Sequence, residues 1–142
     1  MVEVIKGGCH CGNISLQFRA SKPFSELPIR ACQCTFCRKH NVRATADPDG
    51  SLEIKIFDNK KVSRYRFGLK ITDFLVCSEC GTYVAALMGD SENENLLATC
   101  VVNALEIPQS DIKAPVAAFY DEETSISRLD RRRQRWMNAT IS

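Results

Sequence analysis

Gly8-Cys9-His10-Cys11-Gly12-Asn13-Ile14-Ser15-Leu16-Gln17-Phe18 places two thiols one residue apart, follows them with a glycine and then alternates apolar with polar side chains. A period of two marks a strand with one buried face, so Ile14 to Phe18 is expected to leave a cysteine turn directly as a strand. The same alternation recurs in Leu52-Glu53-Ile54-Lys55-Ile56 and Val62-Ser63-Arg64-Tyr65-Arg66-Phe67, with turns at Asp47-Pro48-Asp49-Gly50 and Phe57-Asp58-Asn59-Lys60. Further strands are expected at Asp73 to Val76, Thr82 to Met88, Leu96 to Val102 and Val116 to Tyr120. Helix is confined to about one turn at Thr35 to His40, a short piece near Asn103 to Glu106, and the arginine-rich end. The expected fold class is all-β, with short helical turns and a short C-terminal helix.

The chain has 142 residues, of which 44% are hydrophobic and 25% charged. That suffices for one domain with a real core and argues against disorder throughout. No linker divides it, and the expected organisation is a single unit over 1–125 followed by an arginine-rich tail over 126–142. The start, Met1 to Cys9, has no basic cluster and no apolar signal-peptide core. The most apolar later segment, Leu96 to Val102, is far too short to span a bilayer. The sequence therefore reads as soluble and cytoplasmic, without a membrane partner. In that setting thiols stay reduced, and metal binding explains eight cysteines better than a disulfide framework.

Formal charge is +2, unevenly spread: five arginines stand against one aspartate after residue 127. Ile126, Leu129, Arg133 and Trp136 fall at helical spacing, so an edge of this tail is expected to dock while its arginines face water. Any contact with nucleic acid is confined to Arg128, Arg131, Arg132, Arg133 and Arg135.

Seven of the eight cysteines form three groups: Cys9-x-Cys11, Cys32-x-Cys34-x-x-Cys37 and Cys77-x-x-Cys80. Zinc takes three or four soft ligands about 2.3 Å away, and a tight turn bearing two thiols supplies half of such a sphere. Gly12 and Gly81, each directly after a second thiol, allow the backbone to turn with positive φ. The simplest pairing joins Cys9, Cys11, Cys77 and Cys80 on one zinc, although spacing alone permits permutations. Cys32, Cys34 and Cys37 are then three ligands without an obvious fourth. Either the site stays open, as catalytic zinc sites do, or Cys100 or His40 closes it. His10 is expected to face solvent, since its side chain points away from the point its neighbours share.

These residues resemble a known family. Gly8-Cys9-His10-Cys11-Gly12-Asn13-Ile14, Cys32-Gln33-Cys34-Thr35-Phe36-Cys37-Arg38-Lys39 and Phe74-Leu75-Val76-Cys77-Ser78-Glu79-Cys80-Gly81-Thr82 look like the three signature blocks of the glutathione-dependent formaldehyde-activating enzymes, which include the centromere protein V-like proteins. The resemblance implies a β-tent fold and two zinc ions per chain. It implies a structural zinc on Cys9, Cys11, Cys77 and Cys80, and a catalytic zinc with an open face on Cys32, Cys34 and Cys37. The close of the chain, Arg128 to Trp136, also resembles many bacterial members. Gln33 stands where many members have His, and Cys100 lies outside the signature.

The implied activity is that of a carbon–sulfur lyase joining a thiol such as glutathione to formaldehyde or a related aldehyde. Zinc at the open site would hold the thiol as its thiolate at neutral pH. His40 is the candidate proton relay, against a surface role. Arg38, Lys39 and Arg43 are candidates for binding the carboxylates of a glutathione-like ligand, against simple solvation. The alternative is a non-catalytic zinc-stapled module whose basic tail engages a protein or nucleic acid.

Overall fold

Period-two burial builds the first wall of the protein. In the computed structural model, which describes residues 3–90 and 92–142, strand β1 (Glu3–Gly8) pairs antiparallel with β2 (Ile14–Ala20), and β2 with β5 (Ser51–Ile56). Leu16 faces Ile54 and Phe18 faces Leu52 across this ladder, and all four are buried. Met1 and Val2, at the start of the expected unit, lie outside the described residues, as does Ser91.

The wall continues through β11 (Met137–Ile141), parallel to β5 and antiparallel to β9 (Asn95–Val101). At β9 the sheet divides. One edge of β9 pairs from Asn95 to Cys100 with β8 (Tyr83–Asp90), which leads to β7 (Asp73–Cys77) and β6 (Val62–Tyr65). The other edge is shared: β11 takes Leu97 and Ala98, while β4 (Ala44–Thr45) takes Cys100 and Val101. From β4 the order runs to β3 (Arg30–Cys32) and the edge strand β10 (Val116–Ala118). Because several strands diverge from one, β8 and β9 are covered on both faces, and Tyr83 to Met88 are buried without alternation. This is the all-β, tent-like arrangement expected from the sequence.

Helix α1 (Thr35–His40) forms where expected, and the piece near Asn103 is a 3-10 turn at Val102–Ala104. Helix α2 (Ser125–Arg135) starts on a capping box between Thr124 and Ser127. Its exposure differs from expectation. Ile126 is 77% exposed, whereas Arg132 is 6% and Trp136 7% exposed, so the docked face carries an arginine. Arg128 and Arg131 pair with Glu123, and Arg133 pairs with the buried Asp90. Of the five arginines expected to face water, only Arg135 is exposed. The physical reason is β11: a strand directly after the helix draws its last turn into the sheet junction.

The Asp47 turn forms as read, with the Gly50 amide donating to Asp47 O at 2.8 Å. The fully buried Asp47 carboxylate accepts from the Ser21 amide (2.7 Å), the Ser21 hydroxyl (2.8 Å) and the Asp49 amide (3.0 Å). Burial alone would raise its pKa, but these donors outweigh burial and hold the carboxyl below its ordinary 3.8. A lowered folded pKa stabilises fully above the unfolded value, and that contribution is lost as the pH falls through the folded value. Asp47→Ala is expected to cost about 2–3 kcal/mol in urea unfolding at pH 7. The difference from the parent should shrink below about pH 4, as measured by urea midpoints along a pH series.

Candidate metal centres and their cavity

Two turns of similar construction bring four thiols together. After β1, the Cys9 amide donates to Ile14 O at 2.9 Å; at the end of β7, the Cys77 amide donates to Thr82 O at 2.9 Å. Each turn closes on a glycine in the left-handed region, Gly12 at φ 90° and Gly81 at φ 82°, as the sequence reading requires. Gly8, at φ 151°, lets the β1 end pass so close to Ile14 that a Cβ would collide with its carbonyl oxygen. The turns meet where the His10 amide donates to Thr82 Oγ1 at 3.2 Å, leaving the His10 side chain exposed.

The result is a cluster of Cys9, Cys11, Cys77 and Cys80 whose sulfurs all lie within 4.8 Å of one another. Cys9 and Cys11 Sγ are 3.7 Å apart, and Cys11 and Cys77 Sγ 3.6 Å. These separations far exceed the roughly 2.05 Å of a disulfide. They match the edge of about 3.8 Å of a tetrahedron of sulfurs 2.3 Å from a central zinc. The Ile14 amide donates to Cys9 Sγ at 3.1 Å, support suited to a thiolate. Cys80, beside the Thr82 hydroxyl at 3.3 Å, has its pKa lowered to about 5 by that contact. The donor set fits a soft divalent metal.

Cys32, Cys34 and Cys37 form the second cluster, also within 4.8 Å of one another. Cys32 ends β3, Cys34 caps α1 and accepts from the Cys37 amide at 3.4 Å, and Cys37 is buried on the first turn. Among the described residues neither His40 nor Cys100 joins the group. His40 Nδ1 lies 3.0 Å from Phe36 O with its ring stacked on Phe36, and Cys100 Sγ donates to Val101 O at 3.7 Å in the core. Thiol contacts from Cys32 and Cys37 push Cys34 down to about 2, while contacts with Cys32 and then Cys34 push Cys37 up and the contact with Cys34 pushes Cys32 up. Three thiols this close favour one negative charge among them, so ionising all three requires a cation.

The triad opens into a cavity of about 310 Å³. Phe67, Phe74 and Tyr83 form a wall beside the thiols, Phe74 lying 4.8 Å from Phe67 and 5.9 Å from Tyr83 between ring centroids. Burial first, then the neighbouring Cys37, raises the Tyr83 pKa well above 10.0, leaving a neutral O–H at pH 7. The remaining wall is basic: Arg30, Arg128, Arg131 and Arg132, with Trp136, face the same space. Arg131 stacks on Tyr120 with Cζ 3.7 Å from the ring centroid and is bidentate to Glu123 at 2.7 and 2.9 Å.

His40, Arg38, Lys39 and Arg43, singled out from the sequence, do not line this cavity. Arg38 and Lys39 are exposed, and Arg43 donates to Gln109 Oε1 at 3.2 Å. Sequence reasoning missed Arg30, Tyr83 and the inward arginines. Arg128, Arg131 and Arg132 stand at i, i+3 and i+4, so their common helix face was visible, but not that it points inward.

The sequence pattern of the glutathione-dependent formaldehyde-activating enzymes matches residues 4–122. The crystal structure of a Rhodobacter sphaeroides protein matches with a TM-score of 0.62, covering 80% of this chain and 99% of that one at 24% identity, which speaks for the fold alone. No curated protein matches the sequence. With 4–122 matched, cysteine blocks included, the chain belongs to the family of glutathione-dependent formaldehyde-activating enzymes.

Proposed function

We propose that the protein is a zinc-dependent carbon–sulfur lyase that joins a thiol such as glutathione to formaldehyde or a related aldehyde. Cys32, Cys34 and Cys37 would hold the catalytic zinc, and Cys9, Cys11, Cys77 and Cys80 a structural one. The observation that carries this reading is a triad of thiols that no fourth protein ligand joins among the described residues, facing a cavity. A closed site has four protein ligands, and a site that meets substrate keeps a position free. When bound there, zinc supplies a Lewis acid that stabilises a substrate thiol as its thiolate near neutral pH.

The chain's own residues supply the surroundings. Thiol addition to an aldehyde forms one carbon–sulfur bond and leaves an oxygen that takes up the proton lost by the thiol; the reverse reaction breaks that bond. Phe67 and Phe74 keep the thiol side of the cavity apolar and poor in water. Tyr83 Oη offers the neutral donor that can hydrogen-bond the developing oxyanion. This reading gives no part to His40, Arg38, Lys39 or Arg43. The basic-tail binding module has little support from arginines that turn inward.

The direct test is NMR exchange between free and hydroxymethylated glutathione, with formaldehyde and the zinc-loaded protein. Exchange faster than in the protein-free mixture is expected; equal rates would overturn the proposal. Cys77→Ala is expected to lose the native circular dichroism spectrum, because binding energy at a structural metal is folding energy. Cys34→Ala should stay folded with about half the zinc and no acceleration. Tyr83→Phe should keep the fold and zinc content while lowering kcat about 10- to 100-fold with little change in KM for the thiol.

A further inference from the structure

Arg132 is the anomaly of the cavity. Its residue is 6% exposed, and among the described residues no carboxylate pairs with it, although its neighbours Arg128, Arg131 and Arg133 all have one. Nη1 donates to Thr72 Oγ1 at 2.6 Å and contacts Met88 Sδ at 3.1 Å, and the guanidinium lies over the Trp136 ring at 4.1 Å. Nε is buried without any hydrogen-bond partner. A guanidinium carries its charge at all working pH values, and burying it without an anion is among the costlier things a fold can do. Desolvation, then Arg131 and Arg128, pull its pKa down, the signature of a cation lacking its counter-charge.

The rest of the cavity points the same way. Five basic side chains line it against two carboxylates. Glu123 is fully engaged by Arg128 and Arg131, so it does not neutralise Arg132. Arg30, half-buried on β3, also lacks a carboxylate partner among the described residues, and burial lowers its pKa. Positive charge therefore exceeds its protein partners on the wall that faces the same space as the Cys32, Cys34 and Cys37 thiols. The planar fork of a guanidinium matches a carboxylate.

We infer that Arg132 anchors a carboxylate-binding subsite of this cavity, so that its substrate is an acidic molecule held by a carboxylate at Arg132 while its reacting group lies at the cysteine triad. Which group reacts there rests on the function proposed above; the subsite itself does not. Such an anchor would fix the distance between the charged end and the reacting end, and so exclude neutral thiols of the same reactivity.

The test compares three small probes on the zinc-loaded protein by calorimetry: 3-mercaptopropionate, with thiol and carboxylate; 2-mercaptoethanol, with the thiol alone; and propionate, with the carboxylate alone. Trp136, the single tryptophan and the ring stacked on Arg132, reports occupancy of the subsite by its fluorescence. We expect 3-mercaptopropionate to bind about 10- to 100-fold more tightly than 2-mercaptoethanol and to change Trp136 emission. Arg132→Met should abolish that preference with Tm unchanged or raised, since a buried unpaired charge is removed. Arg132→Lys, which keeps the charge but loses the fork and Nε, should bind 3-mercaptopropionate several-fold more weakly than the parent.

Equal binding of the two thiols to the parent, or a preference that survives Arg132→Met, would overturn the subsite while leaving the thiol chemistry intact. A fall of Tm by many degrees in Arg132→Met would overturn it too, because the guanidinium would then be a structural strut. Propionate binding that needs Arg132, with neither thiol showing zinc-dependent affinity, would uphold the subsite and remove the thiol reading instead.

Discussion

Cys11 Sγ stands 3.6 Å from Cys77 Sγ across 66 residues of chain. Four sulfurs at such distances repel one another when ionised, and a divalent cation at their centre turns that repulsion into attachment. The rest of the architecture hangs on this joint. β1 and β2 lie at one end of the path through β5 and β11 to β9, whereas β7 and β8 approach β9 along its opposite edge. The sulfur cluster ties the β1–β2 turn to the end of β7 and the turn after it, aided by the His10 amide on Thr82. Closing so long a loop costs entropy that a few weak thiol contacts do not offset, but a metal–thiolate centre does.

Once that joint holds, the branching of the sheet at β9 determines what the second thiol cluster faces. β4 and β3 leave β9 on the edge it shares with β11, and the Cys32, Cys34 and Cys37 segment follows directly from β3. β11 enters the sheet between β5 and β9, and α2 immediately precedes it, so the helix is carried to the same side. Trp136, buried at the step from helix to strand, fixes the rotation of α2 and turns Arg132 inward. A five-residue strand of modest apolarity thereby decides that a run of arginines becomes a cavity wall rather than a solvated face.

This explains what was legible in the sequence and what was not. Strands β2 and β5 announce themselves because one face meets the core and the other meets water, so alternation survives. The cysteine turns are legible because ligand chemistry demands both the thiols and the glycines after them. β11 was hidden: Asn138 and Thr140 alternate with Met137, Ala139 and Ile141, but the run follows an arginine helix without a turn residue to separate them. β3 and β4 span three and two residues, too short for any period to show. The basic side of the cavity was hidden for a different reason. Charged residues at helical spacing are ordinarily a solvated face, and only the pairing of Glu123 and the burial of Trp136 reverse the assignment.

Tyr83 shows how the two halves of the cavity work against each other electrostatically. Burial first, then the three thiols, push its hydroxyl towards the neutral form and Arg132 draws it the other way, so it sits between a negative and a positive wall. With a divalent cation on three thiolates, the net charge on the thiol side is only −1, smaller than the excess of basic over acidic side chains around the cavity. The metal site by itself therefore leaves the guanidinium of Arg132 uncompensated. Apolar residues at these positions would make a more stable protein, since a buried unpaired charge opposes folding. The imbalance has a physical use when a ligand brings its own negative charge: the arginine is already desolvated and held by Thr72 and Trp136, so it loses little on meeting a carboxylate. Charge separation across an aromatic cavity then orients an acidic substrate before any bond is made, with its anionic end at α2 and its other end at the thiols.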